Sequence, residues 1–125
     1  MQNSVYTTKA PKPLGPYSQA VQAGKFLFIS GQLPIDPKEG KIITLTIKLQ
    51  TRQAMENIKA ILEAADYTFG NVVQATVYLT SMALFDEFNK EYARYFSDEF
   101  PARVALGAEL KAGALVEISI VAYKD

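Results

Sequence analysis

The 125-residue sequence contains no histidine and no cysteine. Their absence excludes thiol nucleophiles, Ser-His-Asp triads and disulfide bonds, and it removes the nitrogen and sulfur ligands that zinc prefers. Any catalysis by this chain must therefore use carboxylate, arginine, lysine, hydroxyl or backbone groups.

The chain also lacks a net charge and a long apolar run. Thirteen basic residues balance thirteen acidic ones, so no overall field attracts nucleic acid or an anionic membrane. No apolar stretch reaches about 18 residues, and residues 1–8 lack the basic and apolar segments of a secretory signal. We therefore expect a soluble, cytoplasmic protein with no membrane partner and little affinity for nucleic acid.

The length and composition predict a single domain. With 49% hydrophobic residues, the 125-residue chain can bury one core but is too short for two ordinary domains. We interpret residues 1–125 as one domain.

Two segments have the periodicity of amphipathic helices. In residues 47–65 the apolar side chains fall on one helical stripe, with charged side chains mostly opposite. In residues 84–96 aromatic side chains recur at intervals of three and four, which predicts a second helix ending before Pro101. We interpret these aromatic residues as core rather than as a surface for stacking RNA bases, because no basic stripe adjoins them.

The remaining apolar segments have the character of strands. The last two are separated by a turn at Gly113 and are predicted to form an antiparallel pair. The order of elements predicts an α+β sandwich with both helices on one face of the sheet. The predicted strands are residues 17–23, 25–32, 72–79, 103–110 and 114–123.

The second face of the sheet also carries apolar side chains. In the last strand, Val121 and Tyr123 share a face with Glu117, whereas Ile118 and Ile120 share the other. This pattern predicts that both faces are covered. Another subunit could cover the second face, and so could the same chain.

Two charged residues near the end of the chain form a candidate site. Arg103 follows Phe100-Pro101-Ala102 at the entrance of a strand, and Glu117 lies in the apolar run of the next strand. An arginine binds a planar carboxylate through two parallel hydrogen bonds, and a carboxylate among apolar side chains can hold or activate a water. Together they predict a small pocket for an acidic metabolite. Taken singly, each fits an ordinary charged residue on a half-exposed strand.

Six blocks, in order along nearly the whole chain, resemble the RidA/YjgF family of reactive-intermediate deaminases. The resemblance implies a chorismate-mutase-like α+β fold, with a mixed sheet and two helices on one face. It also implies a homotrimer with a central barrel and ligand pockets between subunits. The blocks are residues 15–21 (preceded by Ala10-Pro11), 30–37, 50–53, 56–65, 100–103 and 113–118.

The family resemblance implies a reaction and roles for the charged residues. The expected reaction is hydrolysis of 2-iminobutanoate, 2-iminopropanoate and enamine tautomers such as 2-aminoacrylate to 2-keto acids and ammonia, without an organic cofactor or metal. By this resemblance Arg103 binds the substrate carboxylate and Glu117 positions the hydrolytic water. An imine carbon is already electrophilic, so the site needs mainly orientation, a held water and a proton for the leaving nitrogen.

Further residues correspond to family positions around the same cleft. Tyr17, Ser30 and Gly31 match residues that line it, and the hydroxyl of Tyr17 or Ser30 is a candidate proton relay. A tyrosine after Gly-Pro also commonly packs its ring and bonds its hydroxyl to backbone without any catalytic part. Asn89 matches a recurrent family residue, and we interpret it as a brace for a neighbouring loop outside the site.

The chain departs from the family pattern between the two charged residues. The interval from Arg103 to Glu117 is one residue shorter, with the deficit in residues 104–109, and the turn Leu110-Lys111-Ala112-Gly113 replaces Leu-Pro-Lys-Gly. A one-residue deletion reverses strand alternation unless a bulge disappears or the turn absorbs it. The deletion bears on Ala105, which matches a family position near the substrate; the resemblance implies that its backbone amide contacts the substrate carboxylate.

Two other functions stay open. A trimer could bind small carboxylates in a regulatory role with little or no turnover, and carboxylate affinity without ammonia release would indicate this. Some relatives of the family are described as endoribonucleases or translation inhibitors. Without histidine, RNA cleavage would need an unusual acid-base pair, and a neutral chain predicts weak, salt-sensitive RNA binding.

Overall fold

The computed structural model describes residues 3–97, 99–111 and 113–125. In these residues, six strands and two α-helices form an α+β arrangement. The strands are β1 Asn3–Val5, β2 Ala20–Ala23, β3 Phe26–Gln32, β4 Val72–Leu79, β5 Ala102–Gly107 and β6 Val116–Tyr123, and the helices are α1 Ile47–Ala64 and α2 Phe85–Ala93. Along the chain they follow in the order β1-β2-β3-α1-β4-α2-β5-β6.

The strands form one mixed sheet in the order β1-β2-β3-β6-β4-β5. Each neighbouring pair is antiparallel except β4 and β5, which are parallel. The predicted antiparallel pairing of residues 103–110 with 114–123 is therefore wrong. Helix α2 connects β4 to β5, and this crossover makes β5 parallel to β4. Strand β6 has one fully buried face and lies at the centre of the sheet, between β3 and β4. Its more exposed predecessor β5 lies at the edge.

The start of the sheet also differs from the prediction. The strand expected over residues 17–23 begins only at Ala20, and the short strand β1 was not predicted. The buried Gln19 side chain donates to the backbone carbonyl oxygens of Thr7 and Pro11 and accepts from the Thr7 N–H. The residues just before Ala20 are therefore held in a loop by side-chain hydrogen bonds rather than by strand pairing.

The two helices and the inner face of the sheet share one core. The Thr46 hydroxyl accepts from the Leu49 N–H at 3.2 Å and caps α1. The buried stripe of α1 contacts β3 and β6, and α2 packs on α1. Phe88 and Tyr92 of α2 belong to the same buried cluster. No helix in the described part of the chain is both long and apolar enough to traverse a lipid bilayer.

The outer face of the sheet stays open and apolar. Phe26 and Phe28 on β3 are 42% and 47% exposed, and the Phe26 ring lies 5.0 Å from that of Tyr123 between centroids. On β5, Val104 is also exposed. The predicted apolar character of the second face is confirmed, and the described residues of one chain leave it uncovered. Its covering by another subunit stays a prediction.

Candidate functional site

The carboxylate of Glu117 lies on the open face of the sheet, directly over Gly31. Glu117 pairs with Tyr78 of β4, and its neighbours on β6 point into the core. Gly31 lies where the register between β3 and β6 shifts, between Ile29 and Gln32. A Cβ atom at Gly31 would come within 2.9 Å of the Glu117 carboxyl carbon. Only glycine leaves room for this carboxylate in its observed position.

The environment of Glu117 favours its protonated form. Burial raises the pKa of the Glu117 carboxyl. No residue in the described ranges forms a salt bridge or hydrogen bond with this carboxylate. A half-buried carboxyl group with a raised pKa and free oxygen atoms can both accept and return a proton.

The Tyr17 hydroxyl is placed to donate a proton into the same region. The Leu14 N–H donates to the Tyr17 hydroxyl oxygen at 3.1 Å, and the Tyr17 N–H donates to the Gly15 carbonyl oxygen at 2.8 Å. Because the hydroxyl oxygen accepts from the backbone, its own proton remains available. The side chain is 46% exposed, so a ligand can reach it.

The Ser30 hydroxyl is already engaged as a donor. It donates to the Ser18 carbonyl oxygen at 2.6 Å, and the Ser30 N–H donates to the Gln19 carbonyl oxygen at 2.9 Å. Of the two hydroxyls considered as proton relays, Tyr17 is therefore the one whose proton is not bound to backbone.

The structure brings four of the predicted site residues into one cleft of about 510 Å³. One wall is formed by β3 and β6 and the other by the proline-containing loop that precedes β2. The residues lining it are Leu14, Gly15, Pro16, Tyr17, Ser30, Gly31, Leu33, Lys111 and Glu117. We call this space the Glu117 cleft.

Arg103 lies on the opposite side of the sheet, against α2. It pairs with the fully buried Ala75 of β4. Its guanidinium carbon lies 5.4 Å from the ring centroid of Phe85, 5.8 Å from that of Phe88 and 5.1 Å from that of Tyr92. These aromatic faces attract the cation and hold it in place.

Asn89 is the polar partner of Arg103, a role that the sequence analysis missed. The Arg103 Nη1 donates to Asn89 Oδ1 at 2.7 Å. No carboxylate within the described residues forms a salt bridge with Arg103, so the remaining donors of its guanidinium are available to an anion. A signal was present in the sequence: Asn89 lies four residues after Phe85 and three before Tyr92, and so on the aromatic stripe of α2.

A second, smaller cavity of about 290 Å³ adjoins Arg103. Burial raises the pKa of the Tyr92 hydroxyl in its wall to about 12, although nearby Arg103 opposes the shift. This buried hydroxyl has no hydrogen-bond partner among the described residues. The residues lining the cavity are Asn89, Tyr92, Ala93, Phe100, Pro101 and Arg103, and we call it the Arg103 cavity.

Within one chain the two charged residues do not share a pocket. Arg103 faces the helices, Glu117 faces away from them, and the Glu117 cleft and the Arg103 cavity have no residue in common. Ala105 lies on the same side of β5 as Arg103 and lines neither space. The single pocket predicted from the sequence therefore does not form inside one subunit.

The shorter interval between the charged residues does not disturb β5. This strand pairs with β4 from Ala102 to Gly107 without a register shift. Arg103 and Ala105 therefore share one side of β5, ahead of the connection to β6. Ala112 of that connection lies outside the described residues. No three His, Cys, Asp or Glu side chains in the described ranges are grouped closely enough to hold a metal ion.

Comparison with known proteins identifies the family. The family model described as Endoribonuclease L-PSP matches residues 7–124. A RutC family protein of Pyrococcus horikoshii is 54% identical over 126 residues, covering 100% of both chains. The 2-iminobutanoate/2-iminopropanoate deaminase of Mus musculus is 43% identical over 121 residues, covering 96% of this chain and 90% of the mouse protein.

A solved structure agrees over the same length. The crystal structure of E. coli TdcF with bound serine matches with a TM-score of 0.93 and 31% identity, covering 98% of this chain and 99% of TdcF. The sequence matches and the shared fold both extend over nearly the whole chain. The chain therefore belongs to the RidA/YjgF/RutC family.

Proposed function

We propose that this protein hydrolyses 2-imino acids, with 2-iminobutanoate, 2-iminopropanoate and the enamine 2-aminoacrylate as its substrates. The observation that carries the proposal is the half-buried Glu117 carboxylate, which has a raised pKa and free oxygen atoms and lines the same cleft as Tyr17. The name of the mouse relative supports the choice of imine over other small carboxylates.

The reaction needs one water and no redox partner. Glu117 accepts a proton from the water as its oxygen bonds to the imine carbon, and the π electrons move to nitrogen. Glu117 returns this proton to the nitrogen, which gives the neutral carbinolamine. The Tyr17 hydroxyl donates a second proton to the nitrogen, the C–N bond breaks to release NH₃, and the proton lost by the carbinol hydroxyl restores Tyr17. The net change is R–C(=NH)–COO⁻ + H₂O → R–CO–COO⁻ + NH₃.

The complete site would contain residues from two copies of the chain. Arg103 would bind the substrate carboxylate through its free donors, while the imine carbon lies over Glu117 of a neighbouring copy. The exposed Phe26 and Phe28 support an association through the open sheet face. The assembly we propose is the homotrimer with a central barrel of a chorismate-mutase-like fold.

The first test measures hydrolysis directly. An amino-acid oxidase or a dehydratase generates the imine in place, and its decay and ammonia release are followed with wild type, Arg103→Ala and the control Arg94→Ala. We expect acceleration by wild type and by the control, and a loss of about 100-fold in kcat/KM for Arg103→Ala. A folded wild-type protein that accelerates no imine would contradict the proposal.

A second test asks whether the two charged residues act across copies. Arg103→Ala and Glu117→Gln chains are co-expressed in equal amounts and compared with each variant alone. If each site takes Arg103 from one copy and Glu117 from the next, about a quarter of the sites in randomly mixed rings regain both residues. Activity of the mixture no higher than that of the separate variants would show that the site does not form between copies.

A carboxylate-binding protein without turnover is the second candidate. The Arg103 cavity is organised without any contribution from Glu117, and the structure of TdcF contains bound serine. Binding of pyruvate or serine that depends on Arg103, without ammonia release from any imine, would select this function. The family description also requires an RNA cleavage assay, and cleavage that survives repurification and disappears in Arg103→Ala would favour an endoribonuclease.

A further inference from the structure

Lys111 brings a positive charge into the Glu117 cleft. It lies in the connection between β5 and β6, its side chain is exposed, and it lines the same space as Tyr17 and Glu117. Lys111 forms no salt bridge with any residue that the structure describes.

The backbone at Gly113 and Leu115, shortly after Lys111, is held by a buried side chain. Gln50, which is 1% exposed, donates from Nε2 to the Gly113 carbonyl oxygen at 2.8 Å and accepts at Oε1 from the Leu115 N–H at 2.7 Å. The Ala114 N–H donates to the Lys111 carbonyl oxygen at 3.0 Å. The backbone at Gly113 and Leu115 is thus anchored to α1, and the Lys111 ammonium forms no salt bridge within the described residues.

The charges of the cleft decide which substrate side chain it suits. Lys111 is the only cation among the residues that line it, and Glu117 is the only carboxylate. An apolar substrate side chain would contact Leu14 and Leu33 and gain little from an ammonium group. A side chain with its own carboxylate would be repelled by Glu117 unless a cation such as Lys111 offset the repulsion.

We propose that Lys111 is a specificity-determining residue that selects imino acids carrying a second carboxylate. This inference rests on the proposed function. Arg103 of one copy binds the carboxylate next to the imine, and Lys111 of the neighbouring copy binds the distal carboxylate. The imino acids favoured over the apolar substrates named above are those of four- and five-carbon acidic amino acids, 2-iminosuccinate and 2-iminoglutarate, and a cleft of about 510 Å³ has room for either.

The experiment compares acidic and apolar substrates in matched variants. Oxidases for glutamate and alanine generate 2-iminoglutarate and 2-iminopropanoate, and kcat/KM is measured for wild type, Lys111→Gln, Lys111→Glu, Lys111→Arg and the control Lys59→Gln on the exposed face of α1. We expect Lys111→Gln to lower the ratio of 2-iminoglutarate to 2-iminopropanoate activity by about three- to tenfold, mainly through KM. Lys111→Glu should lower it further.

Three readouts separate a charge effect from a structural one. Lys111→Arg should retain the ratio, added salt should reduce the preference of wild type, and Lys59→Gln should leave it unchanged. Lys59→Gln should also hydrolyse 2-iminopropanoate as wild type does, and the activity of each Lys111 variant on 2-iminopropanoate is the reference for its own ratio. An unchanged ratio in Lys111→Gln, with 2-iminopropanoate still hydrolysed, overturns the role of Lys111 and leaves the proposed function standing.

A binding measurement keeps the inference testable if no imine is hydrolysed. That result would overturn the proposed function, and calorimetric titration of wild type and Lys111→Gln with 2-oxoglutarate and pyruvate would then replace the kinetic ratio. A preference for 2-oxoglutarate that is lost in Lys111→Gln supports selection of a second carboxylate. Equal binding of the two keto acids by wild type overturns it.

Discussion

The Arg103 cavity and the Glu117 cleft hold opposite charges by opposite means. Arg103 is surrounded by three aromatic rings and bonded to Asn89, so many contacts fix the cation. Glu117 has no such partners in the described chain, and its position depends on the missing side chain at Gly31. Contacts with neighbouring side chains hold the Arg103 guanidinium in position, whereas the Glu117 carboxylate occupies the room left by the absent side chain at Gly31. The first arrangement favours tight, oriented binding and the second leaves a reactive group accessible.

The largest effect is expected from a substitution that removes the Glu117 carboxylate but keeps the shape of the side chain. Glu117→Gln cannot accept a proton from water, so we expect kcat for imine hydrolysis to fall by about 10²- to 10⁴-fold. Binding of pyruvate at Arg103 should persist. The matched control Glu63→Gln on α1 should retain full activity. A Glu117→Gln enzyme with near wild-type kcat would show that the acid-base role belongs to another group.

The next largest effect is expected from a substitution that displaces the Glu117 carboxylate without removing it. Gly31→Ala places a Cβ within 2.9 Å of the Glu117 carboxyl carbon, so the side chain must move and we expect kcat to fall by about 10- to 100-fold. Gly107→Ala is the control, because its Cβ would meet the Leu79 carbonyl oxygen at 3.8 Å, an ordinary contact. Equal activities of the two variants would show that the working position of the Glu117 carboxylate does not require the absence of a side chain at residue 31.

A smaller effect is expected when the Arg103 guanidinium loses its hydrogen bond to Asn89. Asn89→Ala removes the hydrogen bond that orients Arg103 but leaves the aromatic rings, so we expect KM to rise by about tenfold with little change in kcat. Asn89→Asp should raise KM further, because its carboxylate would pair with Arg103 and compete with the substrate. Asn71→Ala serves as the control for stability, because it removes only the side chain that accepts from the Thr68 N–H in the turn before β4. A KM unchanged in both Asn89 variants would remove Asn89 from the site.

The smallest effect concerns stability and its dependence on pH. Burial raises the folded-state pKa of Glu117, so the folded chain retains this proton to higher pH than the unfolded chain. The resulting stabilisation is fully present below the unfolded pKa of about 4.3 and is lost as pH rises through the folded pKa. Glu117→Gln escapes this loss, and we expect its Tm to exceed that of wild type by roughly 1–3 °C at neutral pH.

The measurement of this effect is a pair of melting curves for each protein. At about pH 3.5 the two proteins should melt together, because Glu117 is then protonated in both states. A Tm difference of the same size at both pH values would mean that packing, and not ionisation, separates the variants.

Local patterns in the sequence predicted local structure well. The apolar stripe of residues 47–65 predicted a helix that the structure places at Ile47–Ala64. Alternation along the last strand correctly separated the buried Ile118 and Ile120 from the side that carries Glu117. These features depend only on the period of a helix or strand, which short segments determine by themselves.

Features that depend on distant segments were predicted less well. The short turn at Gly113 suggested a hairpin, but the pairing of β6 is decided by β3 and β4, far away in the sequence. The loop hydrogen bonds of Gln19 and the contact between Asn89 and Arg103 likewise join separate elements. Sequence spacing could place Arg103 and Glu117 on strands, but only their pairing with Ala75 and Tyr78 of β4 shows that they face opposite ways.

Because Gly31 of β3 lies directly under Glu117 of β6, the reactivity of this carboxylate depends on how the two strands are aligned. Because β3 and β6 change register between Ile29 and Gln32, the empty position at residue 31 faces the carboxylate only at this offset. A slip of β3 by one residue would bring a side chain under Glu117, but it would also turn the buried Leu27 and Ile29 out of the core. Reactivity and the core would then fail together, so the packing that keeps β3 in place also preserves the open space under the carboxylate.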